Sequence, residues 1–79
     1  MPQKGYISVK MIKLDADAVQ TFRKGRDLTQ AKLAKDAKIA RNTVIRIESG
    51  EAKSVTLDTI NALAKALNVS ADKLVAFEP

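Results

Sequence analysis

Residues 28–51 read LTQAKLAKDAKIARNTVIRIESGE. Two apolar patterns at helical spacing stand in this stretch with only three residues, "KIA", between them. Leu33, Ala34 and Ala37 recur three or four apart, which puts them on one face of a helix beginning after Thr29. Threonine suits that start because its hydroxyl accepts from an orphan amide of the first turn. The second pattern turns Val44 and Ile47 inward and stops at Gly50, where a positive φ costs glycine little.

Two short helices joined by so tight a turn fit a helix-turn-helix. The faces of the second one differ. At about 100° per residue, Val44, Ile47 and Glu48 fall on one side, while Arg41, Asn42, Ile45, Arg46 and Ser49 fall within about 140° on the other. Arginine can donate two parallel hydrogen bonds to guanine, asparagine can pair with adenine, and an aliphatic side chain can pack on a thymine methyl. Thr29, Gln30 and Ser49 lie at helix ends, where amides and short polar side chains can hold phosphates. Any solvated helix also shows a polar outer face, so geometry alone leaves both readings open.

Outward from this centre, the chain reads as one helical domain with an N-terminal appendage. "SVTLDTINALAKALNVS", residues 54–70, is the cleanest helix: Thr56 caps it, Leu57, Ile60, Leu63, Ala64 and Leu67 repeat at helical spacing, and Asn68 is a left-handed stop. Ser70 is expected to cap a last helix over "ADKLVAF", residues 71–77, offering Leu74 and Phe77 to the core. On the other side, Asp15 is the expected N-cap of a helix over 16–26 that buries Val19 and Phe22, with Leu14 and Val19 as its hydrophobic staple. Before it, "YISVKMIKL" over residues 6–14 alternates apolar and polar, as a strand does. A strand needs a neighbour for its backbone, so it folds back, stays disordered or pairs with its copy in a second chain; the last is the expectation here. The boundaries expected are an extension over residues 1–14 and a domain over residues 15–79.

Composition narrows the function. The chain has 79 residues, no cysteine and no histidine. That removes disulfides, thiol nucleophiles, Cys-ligated zinc and the commonest general base and metal ligand at once. With no Gly-rich phosphate loop either, an enzyme is not expected, and neither are catalytic residues, a metal or a cofactor. No apolar run approaches a membrane span and no export signal is visible, so no membrane is expected and the chain reads as cytoplasmic. Between residues 23 and 53 stand nine positive and four negative side chains, so this window carries the whole net charge of +5. A local basic excess on a small domain is the footprint of a polyanion binder.

"FRKGRDLTQAKLAKDAKIARNTVIRIESGE" followed by "TLDTINALAKALNVSADKL" resembles the Cro/repressor-type helix-turn-helix family, the XRE family, over roughly residues 18–75. The resemblance implies an all-α, lambda-repressor-like DNA-binding domain of four to five helices, here with a short N-terminal β-strand. It also implies roles. Arg41, Asn42 and Arg46 match positions that read base edges, with Ile45 beside them. Gln30 resembles a glutamine that binds a phosphate and braces the recognition helix, and Thr29, Thr43, Ser49 and Lys53 match positions near the DNA backbone. Arg23 and Glu48 match a structural ion pair; the inward position of Glu48 independently demands a partner, since a half-buried carboxylate is costly alone. The chain departs from the family at Lys38 and Asp27, which stand where glycine is common, and at Ala40, where a Ser or Thr cap is usual.

The function expected from this reading is a sequence-specific regulator, a repressor, that binds double-stranded DNA as a homodimer on a palindromic operator through residues 41–49. The alternative is an antitoxin that binds operator DNA and holds a toxin through the strand at residues 6–14, adding it to the partner's sheet edge.

Overall fold

The computed structural model describes residues 10–76 of the chain. The elements run β1 (Met11–Lys13), α1 (Ala16–Gly25), α2 (Gln30–Ala37), α3 (Arg41–Glu48), β2 (Ser54–Thr56) and α4 (Leu57–Leu67), followed by a single 3-10 turn (Ala71–Lys73). The fold is all-α in its core, with a minimal two-stranded antiparallel sheet beside it.

Three of the helices start on side-chain caps. Asp15 accepts from the Ala18 amide at 3.1 Å, Thr29 from Lys32 at 3.0 Å and Thr56 from Thr59 at 3.3 Å. Each bond satisfies one of the orphan donors of a first turn. α3 begins at Ala40 with no side-chain cap, so its first turn lacks that support.

The same three helices also end alike. Asp27, Lys38 and Asn68 take left-handed backbone at φ 57°, 58° and 58°. The amide one residue later then reaches back five residues in each case: Leu28 to the Arg23 carbonyl at 3.1 Å, Ile39 to Ala34 at 3.0 Å and Val69 to Ala64 at 3.0 Å. This is the Schellman closure, and its apolar residue packs onto the helix it ends. Leu28, Ile39 and Val69 all lie against the core accordingly. The turn between α2 and α3 thus keeps its usual shape, with Lys38 holding a conformation that disfavours a side chain.

The core forms where these faces meet. Val19, Leu33, Val44, Ile47, Ile60, Leu63 and Leu74 have no exposed surface, and Leu67 almost none. Each such side chain contributes roughly 1.5–3 kcal/mol by leaving water. The α2 and α3 residues among them fix how α3 is rolled, and therefore which of its residues face outward.

Two expectations are corrected. The described part of the expected strand, β1, finds its neighbour by folding back in its own chain and not in a second copy. It pairs with β2 of its own chain, Met11 opposite Thr56, Ile12 opposite Val55 and Lys13 opposite Ser54. Beyond β1, Leu14 is buried and donates to the Lys53 carbonyl at 2.9 Å, while Asp15 donates to Leu74 at 2.8 Å and Ala76 to Lys13 at 3.0 Å. The chain at Lys13–Asp15 is therefore bonded on both sides. Residues 6–9 of the expected strand lie outside the described residues. The second correction follows from the first. The expected helix over residues 71–77 is only the 3-10 turn, started by Ser70 without a side-chain cap bond, because Val75 bridges Leu14 in extended backbone. Leu74 reaches the core; Phe77 lies outside the described residues.

Candidate nucleic-acid interface

α3 is eight residues long and its side chains divide sharply. Val44 and Ile47 are fully buried. Arg41, Asn42, Ile45, Arg46 and Ser49 are exposed, Thr43 is half-buried, and Ile45 keeps 36% of its surface, high for a residue that could have joined the core. An exposed isoleucine flanked by arginines and an asparagine offers an apolar contact among multiple hydrogen-bond donors, the mixture that base edges in a major groove complement.

Glu48 turns the other way. Its side chain is 2% exposed and faces Arg23 of α1, at 10%. The guanidinium grips the carboxylate with two bonds, Nε to Oε2 at 2.6 Å and Nη2 to Oε1 at 2.9 Å, and Nη1 donates to the Leu28 carbonyl at 2.7 Å. Gln30 Nε2 adds a bond to Oε1 at 3.1 Å. One buried carboxylate thus ties α1, the loop before α2, the first residue of α2 and the end of α3. The hydrogen bond to Glu48 raises the basicity of Arg23 above its ordinary value, against the opposing effect of burial, so the guanidinium stays protonated. Its worth lies in orientation: the network fixes the last turn of α3 relative to α1, and so fixes what the exposed face presents.

The remaining residues sit around this frame. Thr29 is exposed and spends its hydroxyl oxygen on capping α2. Gln30, joined to Glu48, brings the start of α2 beside the end of α3. Ser49 Oγ donates to the Arg46 carbonyl at 3.1 Å, closing α3. Lys53 is exposed on the approach to β2. Among the described residues no group of carboxylates could hold a metal, and no helix is long and apolar enough to cross a membrane.

A family model described as Helix-turn-helix matches residues 19–74, from α1 to the residue after the 3-10 turn. The chain belongs to the helix-turn-helix family. Solved structures with the same fold include the restriction-modification controller protein C.AhdI from Aeromonas hydrophila, at TM-score 0.69 and 28% identity, covering 73% of this chain and 86% of that one. SinR, a master regulator for biofilm formation solved in complex with DNA, superposes at TM-score 0.72 and 19% identity over 75% of this chain and 97% of its own. A mutant hydroxyethylphosphonate dioxygenase matches at TM-score 0.71 and 25% identity over 86% of this chain, but over only 14% of its own. The helix-turn-helix fold therefore also occurs as a small part of much larger chains, and fold alone does not carry function. No curated protein matches the chain.

Against the helix-turn-helix frame, one residue of the surface escapes sequence reasoning. Arg46 Nε donates to Glu51 Oε2 at 3.1 Å. Glu51 lies past Gly50, beyond the end of α3, so no helical spacing rule links the two. The carbonyl of Leu28 is likewise invisible in advance, because a backbone acceptor has no residue type to mark it.

Proposed function

We propose that this DNA-binding transcriptional regulator reads a specific operator by laying α3 in the major groove of double-stranded DNA, and that it acts as a repressor. The observation that carries the reading is the roll of α3. Val44, Ile47 and Glu48 are consumed by the core and by Arg23, which leaves Arg41, Asn42, Ile45 and Arg46 at the surface. In this reading Arg41 and Arg46 donate to guanine, Asn42 pairs with adenine and Ile45 packs on a thymine methyl. Thr29, Gln30, Thr43, Ser49 and Lys53 hold phosphates and set the register, which carries no sequence information of its own. Gln30 serves twice: its amide already braces Glu48 and lies at the start of α2, where a phosphate would approach.

Eight residues of helix reach only a few base pairs, so we infer that two copies act together. A twofold axis would make the operator a palindrome with half-sites about one helical turn, ~34 Å, apart. Supporting this reading are family membership, the DNA complex of SinR and the likeness to a controller protein. We also infer a domain over 15–79 preceded by an extension over 1–14, whose Met11–Leu14 is bonded to the domain.

The experiment is selection of bound duplexes from a random library at near-physiological salt. An enriched palindrome supports the proposal, and its half-site spacing gives the geometry of the pair. Salt-sensitive binding with no enriched sequence would overturn it.

A further inference from the structure

Arg46 and Glu51 form a bracket at the end of the recognition helix. Arg46 Nε donates to Glu51 Oε2 at 3.1 Å, and both side chains are well exposed, at 58% and 65%. An isolated surface pair of this kind is ordinarily weak. Here the backbone brings the partner into place. The Glu51 amide donates to Ser49 Oγ at 3.3 Å, the same hydroxyl donates to the Arg46 carbonyl at 3.1 Å, and the Ala52 amide donates to that carbonyl at 2.9 Å. Gly50, at φ 86°, makes the reversal that folds this loop back onto the last turn of α3.

A guanidinium can offer a base edge two donors in either of two ways, through Nε with one Nη or through both Nη groups. Glu51 occupies Nε. Among the described residues nothing else binds the side chain of Arg46, so its two Nη groups remain available as a fork. We propose that Glu51 is a positioning residue for base recognition: it holds Arg46 by Nε so that the Nη pair meets a single guanine end-on. The inference rests on the regulator reading above.

Glu51 then has opposite effects on two quantities. Its negative charge near the DNA lowers affinity for every duplex by repelling phosphates. Its hold on Arg46 suppresses alternative contacts to phosphates and neighbouring bases, so it raises discrimination at one position. A residue that only stabilised the loop would move neither in this pattern.

The test titrates wild type, Glu51→Ala, Glu51→Gln, Arg46→Ala and the double variant against the selected duplex. A duplex changed at one guanine and an unrelated duplex complete the set. Expected for Glu51→Ala is tighter binding to the unrelated duplex by a few-fold, with a loss of about tenfold in discrimination at one guanine. Glu51→Gln, which keeps an acceptor oxygen, retains part of that discrimination. Arg46→Ala loses discrimination at the same guanine, and adding Glu51→Ala removes nothing further there. Thermal unfolding checks that each variant is folded. Unchanged discrimination in Glu51→Ala would overturn the bracket while leaving the regulator reading intact. So would a loss confined to a cytosine that Arg46→Ala does not affect, since Glu51 would then read that base itself. A wild type that selects no sequence would end both readings together.

Discussion

α3 takes part in two arginine–glutamate pairs that share chemistry and differ in everything else. Glu48 points into the molecule, where Arg23 meets it with two bonds and both side chains are nearly dry. Arg46 points out, where Glu51 meets it with one bond in open solvent. Removal from water makes the first pair a tie: neither charge can be left alone without a large penalty, so the helix cannot roll. Contact with water makes the second pair exchangeable at little cost, which is what a surface that must meet another molecule requires. Two residues along one helix separate a buried ion pair from an exposed one.

The most disruptive way to break this comparison is at the buried end. Glu48→Ala is expected to cost about 3 kcal/mol by stranding Arg23, read as a lower urea midpoint. That is a large share of the ~5–15 kcal/mol that stabilises a typical domain. Replacing Arg23 and Glu48 together by methionine should cost less than the single change; a larger loss would mean that the pair contributes more than mutual neutralisation.

On the outer face the expectation reverses. Arg41→Ala should leave stability within about 0.5 kcal/mol and relax the preference at one base position by about 1–3 kcal/mol, measured by competition between operator variants. An unchanged binding motif would remove Arg41 from base readout. The turn that joins the faces can be probed at Lys38. Lys38→Gly relieves the left-handed strain and should raise stability by about 0.5–1 kcal/mol in the same melts, with no change in operator preference. At the edge of the surface, Lys53→Ala should weaken binding evenly across sequences and flatten the slope of log K against log salt by about one unit.

The smallest effect lies furthest from α3. Hydrogen bonding from the Ser70 side chain holds the exposed Asp72 carboxyl below its ordinary range. A lowered carboxylate value means stabilisation present above the ordinary range and lost as pH falls through the lowered one. Ser70→Ala should therefore move the Asp72 titration, followed by NMR, upward toward the ordinary range while DNA binding stays the same.

Helix starts and stops were readable in advance because caps are local. Asp15, Thr29 and Thr56 each bond an amide three residues away, and Asn68 and Gly50 declare themselves by tolerance of positive φ. Asp27 and Lys38 are less obvious stops, yet the apolar Leu28 and Ile39 that follow them carry the closing signal. The roll of α3 was readable too, since Val44 and Ile47 stand three apart on one helix face and must be buried together. β2 was not. Ser54–Thr56 is too short to show a period, and its role is to offer backbone bonds to a strand more than forty positions earlier. Val75 gave little warning either: it falls inside the helical spacing of Leu74 and Phe77, and the bridge to Leu14 holds it outside a helix.

The amino-acid sequence by itself determined α1 to α4, the caps at Asp15, Thr29 and Thr56, the inward face of each of these helices apart from the exposed Leu57, and the donors left on the outer face of α3. These follow from burial periodicity and from hydrogen bonds spanning three or four residues, which any local stretch encodes. Tertiary structure alone decided which partner completes each long-range bond: β2 for β1, the Leu28 carbonyl for Arg23, and a loop carboxylate for Arg46. Backbone groups are the same in every residue, and a surface carboxylate could turn in many directions, so neither choice exists until the chain has folded.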